Sequence, residues 1–352
     1  MAALLAFPAT ATPVVPPWDS PPISTLSCRQ LIPPTVPPPS WSDPQDGASR
    51  FRLSRWCETV GAVFLQPVPL IPISSGSIDR LAIVSWNVHE GGGDVDDLLS
   101  RLRAGQFTGG QAIEHVVLLL QEVRRSDSSV PAHIPRGYPA PGRIAPRRSS
   151  PDGDVHRFAD QGFAVLYAPS MRNGRYGASA EDRGNAIVST LALADPRLIE
   201  LPLERQRRVA AAAAVEGKTS SGVRWRLELV NVHLDTALSL GHVTPFAARR
   251  RQVLALLAAL PDAHPAGVET ATLLGGDLNT WGGRHETALR VLSDAFPDTP
   301  DADEAPTWRG PLGLHASLDH IFVRGHARSE RVIRIPNRFG SDHYPLLTVL
   351  RF

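Results

Sequence analysis

The sequence has almost no lysine: Lys218 is the only one among 352 residues, so nearly all of the positive charge is arginine. Acidic residues balance it to a formal net charge of +1. This balance gives no sign of a strongly cationic nucleic-acid binder, although a local basic patch would still be compatible with one. Arginine also suits phosphate recognition, because its planar guanidinium can donate two parallel hydrogen bonds.

Cysteine is nearly as scarce. Cys28 and Cys57 are the only two, and they are either a buried thiol pair or, as we favour, a disulfide within the N-terminal segment. No apolar run is long enough to span a bilayer. Residues 1–11 are apolar and end in a small-x-small pattern, but they lack a basic start, so they fit either the remnant of a signal peptide or an unstructured end. We expect a secreted or periplasmic protein rather than a cytoplasmic one, and two free thiols in exported material would argue against this.

Prolines interrupt the first part of the chain. Residues 1–77 contain Pro33-Pro34, Pro37-Pro38-Pro39, Pro67 and Pro69, which break regular elements, and only a short helix at 49–60 is predicted there. We interpret 1–77 as an extension that wraps or tethers, and 78–352 as the organised domain.

Many strand patterns and few helical ones follow. The helices are predicted at 95–104, 245–260 and 284–295, with Arg249, Arg250 and Gln252 on the outer face of the second. A long polar segment, 123–160, is expected to be a functional or mobile loop. This pattern indicates an α/β fold in which two packed mixed sheets are flanked by helices. The strands are predicted at 81–86, 115–120, 162–167, 186–193, 208–215, 225–232, 270–274, 318–323, 331–335 and 344–350.

One strand pattern, Leu273-Leu274, runs into Gly275-Gly276-Asp277-Leu278-Asn279. Residues i and i+2 of an extended chain point to the same side, so Asp277 and Asn279 should share one space at the carboxyl end of a strand. Ligands of open α/β sheets bind at such ends. A plain turn is the competing interpretation.

Other strands end in polar groups of the same kind. Asn87 follows the first strand of the domain, His233 ends another, and Asp319 begins a third. Glu122 follows an apolar run, where a carboxylate is costly to desolvate unless it is paired or binds a cation. The pair Asp342-His343 precedes the last strand.

These groups suit a hard cation. The carboxylates of Glu122 and Asp342, with Asn87 as a neutral oxygen donor and no thiolate, favour Mg²⁺, Mn²⁺ or Ca²⁺ over structural zinc. Such a site fits phosphate-ester hydrolysis, in which a cation offsets phosphoryl charge, a carboxylate activates water and imidazoles hold the phosphate.

In this order the motifs resemble the endonuclease/exonuclease/phosphatase superfamily, which includes deoxyribonucleases, abasic-site endonucleases, neutral sphingomyelinases and inositol polyphosphate 5-phosphatases. The resemblance implies a four-layer α/β sandwich over 78–352, which would be the catalytic domain. The motifs are Ser85-Trp86-Asn87, Leu120-Gln121-Glu122, Gly184-Asn185-Ala186-Ile187, Asn231-Val232-His233-Leu234, Gly276-Asp277-Leu278-Asn279, Leu318-Asp319-His320-Ile321 and Ser341-Asp342-His343.

The resemblance also implies a role for each position. Glu122 would bind the cation, supported by Asn87 and Asp342. Asp277 would deprotonate the attacking water, and Asn279 would hold that water or a phosphoryl oxygen. His343, fixed by Asp319, and His233 would contact the phosphate from two sides. Asn185 and Arg124 are further candidates for substrate binding.

The motifs leave the substrate class open. We expect a monomeric hydrolase of a phosphate ester, with nucleic acid favoured over sphingomyelin or inositol phosphates, because no lipid-inserting apolar loop stands out. Arg124, Arg125 and the arginines of segment 123–160 either line a phosphate-binding face or are solvated loop charge. The basic run ending in Arg207-Arg208 has the same ambiguity. A binding module that has lost catalysis is the alternative from another class.

Overall fold

The computed structural model describes residues 27–34, 36–43, 47–70, 76–134, 154–173, 180–236, 245–261 and 267–352. The N-terminal residues 1–26, the predicted signal remnant among them, and Arg136, Arg143, Arg147 and Arg148 lie outside these ranges. The helices are Gly47–Cys57 (α1), Val95–Arg103 (α2), Val155–Asp160 (α3), Pro245–Ala258 (α4) and Thr287–Ala295 (α5). No helix in the described ranges combines the length and the apolar character needed to cross a membrane.

The strands form two large sheets and one small hairpin. Their bounds are Leu31–Ile32 (β1), Ser40–Ser42 (β2), Val63–Gln66 (β3), Arg80–Asn87 (β4), Val116–Arg125 (β5), Ala164–Asn173 (β6), Glu181–Ser189 (β7), Ala194–Glu200 (β8), Val209–Lys218 (β9), Arg224–His233 (β10), Glu269–Asp277 (β11), Trp308–Arg309 (β12), His315–Ala316 (β13), Asp319–Gly325 (β14), Arg328–Ser329 (β15), Ile333–Arg334 (β16) and Leu346–Arg351 (β17).

Strand order explains how distant segments meet. The first sheet runs β1-β3-β6-β7-β5-β4-β17-β15, with β16 also paired to β17. The second runs β14-β11-β10-β9-β8-β2, and β12 pairs with β13. Both sheets are mixed: β4 and β5 are parallel in the first, and β10 and β11 in the second, while most other neighbours are antiparallel.

Three apolar cores separate four layers, and alternation along the strands supplies them. Leu81 and Ile83 face the central core between the sheets, whereas Ala82 and Val84 face the core beneath α2 and α3. A third core joins the outer face of the second sheet to α4 and α5. The predicted four-layer α/β sandwich is therefore confirmed.

Element bounds differ from the sequence prediction in several places. Strand β8 and helix α3 were not predicted, and the strand expected at 331–335 is reduced to the two residues of β16. The predicted 284–295 helix begins as α5 at Thr287, after a short 3₁₀ turn at Gly283–His285. Strand β5 extends into the start of segment 123–160 and helix α3 forms its end, and residues 135–153 lie outside the described ranges.

The prediction that Arg249 and Gln252 face outward from α4 is wrong, because both side chains are buried. Arg249 pairs with the buried carboxylate of Glu286, and Gln252 accepts a hydrogen bond from the backbone N–H of Asp235 at 2.9 Å. A polar side chain on a helix can be buried when a partner from another element satisfies it.

The proline-rich segment contributes an edge strand to each large sheet, since β1 and β3 extend the first and β2 extends the second. The predicted helix at 49–60 is present as α1. Cys28 and Cys57 form a buried disulfide, with their Cα atoms 5.0 Å apart. This is consistent with an oxidising compartment, and export stays a prediction.

Candidate active site

The strand ends bearing the predicted polar groups converge at one edge of the sandwich. His233, Asp277 and Asp319 occupy adjacent register positions across β10, β11 and β14. On the facing sheet, Asn87 of β4 pairs in register with Gln121 of β5. Ser341 ties the loop before β17 to this edge, donating from its hydroxyl to the Asn87 carbonyl at 2.7 Å.

Buried hydrogen bonds of the Asn231 side chain join the two sheets beneath this edge. Asn231 of β10 donates through its side chain to the carbonyls of Leu120 and Ala186, both at 2.8 Å. Its side-chain oxygen accepts from Gln121 at 2.8 Å. These hydrogen bonds help to fix the spacing of the strand ends, although Gln121 Oε1 is buried without a hydrogen-bond partner among the described residues.

Asp277 lies at the centre of the site and is almost fully buried. One carboxylate oxygen accepts from the Asn87 amide at 3.0 Å, and the other from the backbone N–H of Asn279 at 2.9 Å. His233 and His343 approach the first oxygen through Nε2, at 3.4 and 3.7 Å. Burial raises the pKa of Asp277 to about 7, with His343 opposing the shift and Asp319 adding to it. This carboxylate can therefore exchange a proton near neutral pH.

His343 is held by a carboxylate partner. Its Nδ1 lies 2.8 Å from Oδ2 of Asp319, and Asp319 is in turn fixed by its backbone N–H donating to Thr307 at 3.0 Å. Burial opposes the charged ring, but Asp319 and Asp277 outweigh burial and raise the pKa of His343 to about 10. The ring is thus an imidazolium near neutrality.

His233 differs from His343, because burial, with Arg208 and His343 nearby, lowers the pKa of His233 well below the usual value and keeps its ring neutral.

Glu122 and Asp342 lie on the same side of the molecule, linked through the turn after β4. The backbone N–H of Glu90 donates to Glu122 at 3.2 Å, and His89 Nδ1 lies 3.0 Å from Asp342. Asp342 also accepts from the Trp308 indole at 3.0 Å. Despite some burial, these contacts and His343 lower the pKa of Asp342 to about 2, so it is ionised.

Backbone strain is concentrated here. His89, Glu90, Glu122 and Asn279 are non-glycine residues with φ values of 48°, 56°, 58° and 51°, in the left-handed region. Such conformations cost on the order of 1–3 kcal/mol each and persist where the surroundings enforce them, often at functional sites. Glu122 also sits in the β5 bulge, which redirects its side chain.

A small, partly open recess with room for about one water molecule (about 10 Å³) lies beside His233 and Glu122, and we call it the arginine pocket. Arg208 is buried there, and its Nε and Nη2 have no hydrogen-bond partner among the described residues. Arg183 reaches it from β7, paired with Glu90. The full lining is Glu122, Ser170, Met171, Arg183, Gly184, Asn185, Arg208 and His233.

Asn185 and Arg124, the two residues proposed for substrate binding, have different surroundings. Asn185 lines the arginine pocket while its amide donates to the Val209 carbonyl at 2.8 Å. Arg124 is buried, with its guanidinium 3.7 Å from Glu181. Arg125 is fully buried in an ion pair with Asp182, so it does not line a phosphate-binding face. Substrate binding by Arg124 stays a prediction.

Two donor sets could hold a cation. The predicted set of Asn87, Glu122 and Asp342 supplies oxygen atoms, although each already accepts a hydrogen bond. A tighter group is formed by Asp277, Asp319 and His343, whose donor atoms all lie within 4.8 Å of one another. The short Asp319–His343 contact and the raised pKa of His343 make this group better suited to proton chemistry. The crowding of carboxylates around the site nonetheless fits a divalent cation.

Sequence reasoning gave no role to Arg183 or Trp308. Arg183 stands two residues before Asn185 on β7, so the strand period alone could have placed both on one face. Trp308 offered no comparable signal, because its contact with Asp342 depends on where the β12–β13 hairpin folds.

Comparison with known proteins agrees with this geometry. A model of the endonuclease/exonuclease/phosphatase family matches residues 84–343. The chain belongs to this family. The match spans every strand end that supplies the site, from β4 to the loop before β17.

Two solved structures of family members have a similar fold. One, from Beutenbergia cavernae, is 18% identical over 78% of this chain and 72% of its own, with a TM-score of 0.50. The other, from Leptotrichia buccalis, is 13% identical over 77% of this chain and 100% of its own, also with a TM-score of 0.50. A search of curated proteins found no match.

Proposed function

We propose that this protein is a divalent-metal-dependent phosphodiesterase that hydrolyses its substrate by in-line attack of water, with a nuclease-like substrate. The observation that carries the proposal is the joint burial of Asp277, His233 and the Asp319–His343 pair within hydrogen-bonding or near-contact distances. One group can accept a proton and another is an imidazolium, which is the division that hydrolysis requires.

Asp277 is the proposed general base. Its two hydrogen bonds, from Asn87 and Asn279, hold the carboxylate in one orientation. A base works best when its pKa is close to the working pH, and burial places Asp277 there. No side-chain nucleophile is needed, so a single displacement by water follows.

His343 and His233 are proposed to hold the phosphate. The His343 imidazolium would donate from Nε2 to a phosphoryl oxygen while Asp319 fixes its tautomer through Nδ1. The neutral His233 would also donate to the phosphate. Asn279, whose side-chain amide donates to the Leu234 carbonyl at 3.0 Å, is proposed to contact the same group or the attacking water.

A divalent cation, when bound, would supply charge neutralisation at the phosphoryl oxygens. We propose Glu122, Asp342 and Asn87 as the residues that hold it, because they are hard oxygen donors that all contact the turn after β4. Mg²⁺ or Mn²⁺ is expected, and Ca²⁺ is the further candidate.

A nucleic-acid-like substrate is favoured by the rim of the site. Trp281 is partly exposed and packs edge-on against Trp308, which contacts Asp342. Arg334 and Arg338 lie over the Tyr344 ring, at 4.1 and 5.7 Å. Aromatic rings beside guanidinium groups suit bases and phosphates of a single strand.

One observation favours a sphingomyelinase-like alternative. Leu312 is fully exposed and Leu314 mostly so, at the tip of the β12–β13 hairpin beside the site. The sequence gave no indication of an apolar loop, because the two leucines are separated by a glycine in a short turn. Exposed leucines beside a site can enter a lipid surface.

A substrate panel with Mn²⁺ tests the proposal. We expect single-stranded and duplex DNA, abasic DNA or RNA to be cleaved faster than sphingomyelin vesicles or inositol phosphates. Sphingomyelin as the preferred substrate, with loss of activity in Leu312→Gln, would favour the lipid alternative. Binding of phosphate-rich ligands without turnover, with every metal tried, would instead indicate a binding module.

A further inference from the structure

The N-terminal strap is the part of the chain from Cys28 to Ala62 that the structure describes. Its ends are brought together by the Cys28–Cys57 disulfide, which packs with Val60 in a small core of its own. Strand β1 pairs with β3 and strand β2 with β8, so the strap reaches both sheets. None of the proposed catalytic or metal-binding residues lies in the strap.

The first anchor of the strap is Arg207. This fully buried guanidinium holds Glu200 through two hydrogen bonds of 2.7 and 2.9 Å. Its Nη2 also lies 3.6 Å from the Cys28 sulfur, and its Nη1 donates to the Pro169 carbonyl at 2.6 Å. Arg29, the residue after Cys28, lies 3.7 Å from the same Glu200 carboxylate. The disulfide therefore packs directly on a buried ion pair.

The second anchor is Asp182. Its carboxylate accepts from the Gly61 backbone N–H at 2.7 Å, and it pairs with the buried Arg125, which donates to the Ala62 carbonyl. The backbone N–H of Ala62 also donates to Ser129 at 3.2 Å. The C-terminal end of the strap is thus fixed to β5 and β7.

Both anchors, and the Pro169 carbonyl that Arg207 holds, immediately precede residues of the arginine pocket. Pro169 is followed by Ser170, Asp182 by Arg183, and Arg207 by Arg208. Within β7, neighbouring side chains point to opposite sides, so the strap contacts Asp182 while Arg183 lines the pocket. Arg207 contacts Cys28 and the Pro169 carbonyl, and the residues that follow, Arg208 and Ser170, line the pocket. The strap therefore contacts two segments of the pocket wall directly and a third through Arg207.

We propose that the disulfide-closed strap positions the wall of the arginine pocket, and that opening the disulfide weakens substrate binding there. Arg207, Glu200 and Asp182 are positioning residues, since they act through Arg208, Arg183 and Ser170. The effect on substrate rests on the proposed function, whereas the effect on the wall segments does not.

Hydrogen exchange measured by mass spectrometry tests the positioning directly. Wild-type protein is compared oxidised and after treatment with a phosphine reductant. The phosphine gives two electrons to the S–S bond, and water supplies two thiol protons and the oxygen of the phosphine oxide. We expect faster exchange in peptides covering 168–173, 181–185 and 205–210, with 275–279 and 319–323 unchanged. Faster exchange confined to 28–62, or spread evenly over the chain, would overturn the proposal.

The second test compares kcat and KM of the oxidised and reduced protein. Reduction should raise KM by about tenfold, as expected for losing one hydrogen bond to a charged group, with kcat changed much less. The Cys28→Ser/Cys57→Ser variant should have the KM of the reduced wild type, and the reductant should not change it. Glu200→Gln, with the disulfide intact, should raise KM in the same direction. Thiol titration and circular dichroism check that the protein is fully reduced and folded, and an unchanged KM in that protein would contradict the proposal. An enzyme that is inactive in every state would instead count against the proposed function, because the hydrogen-exchange result does not depend on activity.

Discussion

Asp277→Asn is expected to lower kcat by about 10²–10⁴-fold, the range for removing a general base. The amide keeps the shape of the carboxylate and can still accept from the Asn279 backbone, but it cannot take a proton from water. The measurement is the initial rate on bis(p-nitrophenyl) phosphate with saturating Mn²⁺, beside a thermal unfolding curve that shows an intact fold.

Asp195→Asn is the matched control. Asp195 is exposed, pairs with Arg226 at 2.5 Å and lies at the edge of β8, so the same chemical change should leave kcat unchanged. Its positive φ of 46° is also tolerated by asparagine. An Asp277→Asn enzyme that keeps most of its activity would remove Asp277 from the role of base.

Variants of the Asp319–His343 pair should have the second largest effect. His343→Gln is expected to lower kcat by about 10²–10⁴-fold, and Asp319→Asn by about 10–100-fold, as for loss of a partner that orients an imidazole. Near neutral pH the wild-type ring is charged, because its pKa is raised to about 10. Without the Asp319 charge that pKa falls, so the alkaline limb of the rate profile should move to lower pH in Asp319→Asn.

The pH profile separates this role from a purely structural one. A structural role predicts that Asp319→Asn lowers the rate equally at every pH at which the protein is folded. His320, the next residue, provides a control: its ring contacts the Thr280 hydroxyl at 2.9 Å and not the Asp277 carboxylate. His320→Gln should leave the shape of the profile unchanged.

The fold was predictable because alternating apolar residues and strand-end polar groups are local patterns. Ala82 and Leu81 face different cores just as period-2 alternation requires. Asp277 and Asn279 could be placed together from their spacing. The metal and substrate-binding roles of Glu122, Asp342, Asn185 and Arg124 stay predictions, since no bound ligand tests them.

Other features could not be predicted, because they depend on residues that are distant in sequence or on elements too short to show a pattern. Arg249 was placed on the outer face of α4 because its partner Glu286 is 37 residues away. Strands β1, β2 and β3 are too short, and too closely flanked by prolines, to show a period. Arg208 stood in an ambiguous basic run, and only the folded structure shows that it lines the pocket while Arg207 pairs with Glu200.

Strand ends far apart in sequence form the proposed metal-dependent hydrolytic site. Its most direct test is the rate of bis(p-nitrophenyl) phosphate hydrolysis by wild-type protein and Glu122→Gln, after EDTA treatment and during titration with Mn²⁺. We predict no turnover without metal, recovery on titration in the wild type, and recovery in Glu122→Gln only at much higher Mn²⁺ concentration. Full activity of the wild type in EDTA, or identical titration curves for the two proteins, would contradict the assignment of the site.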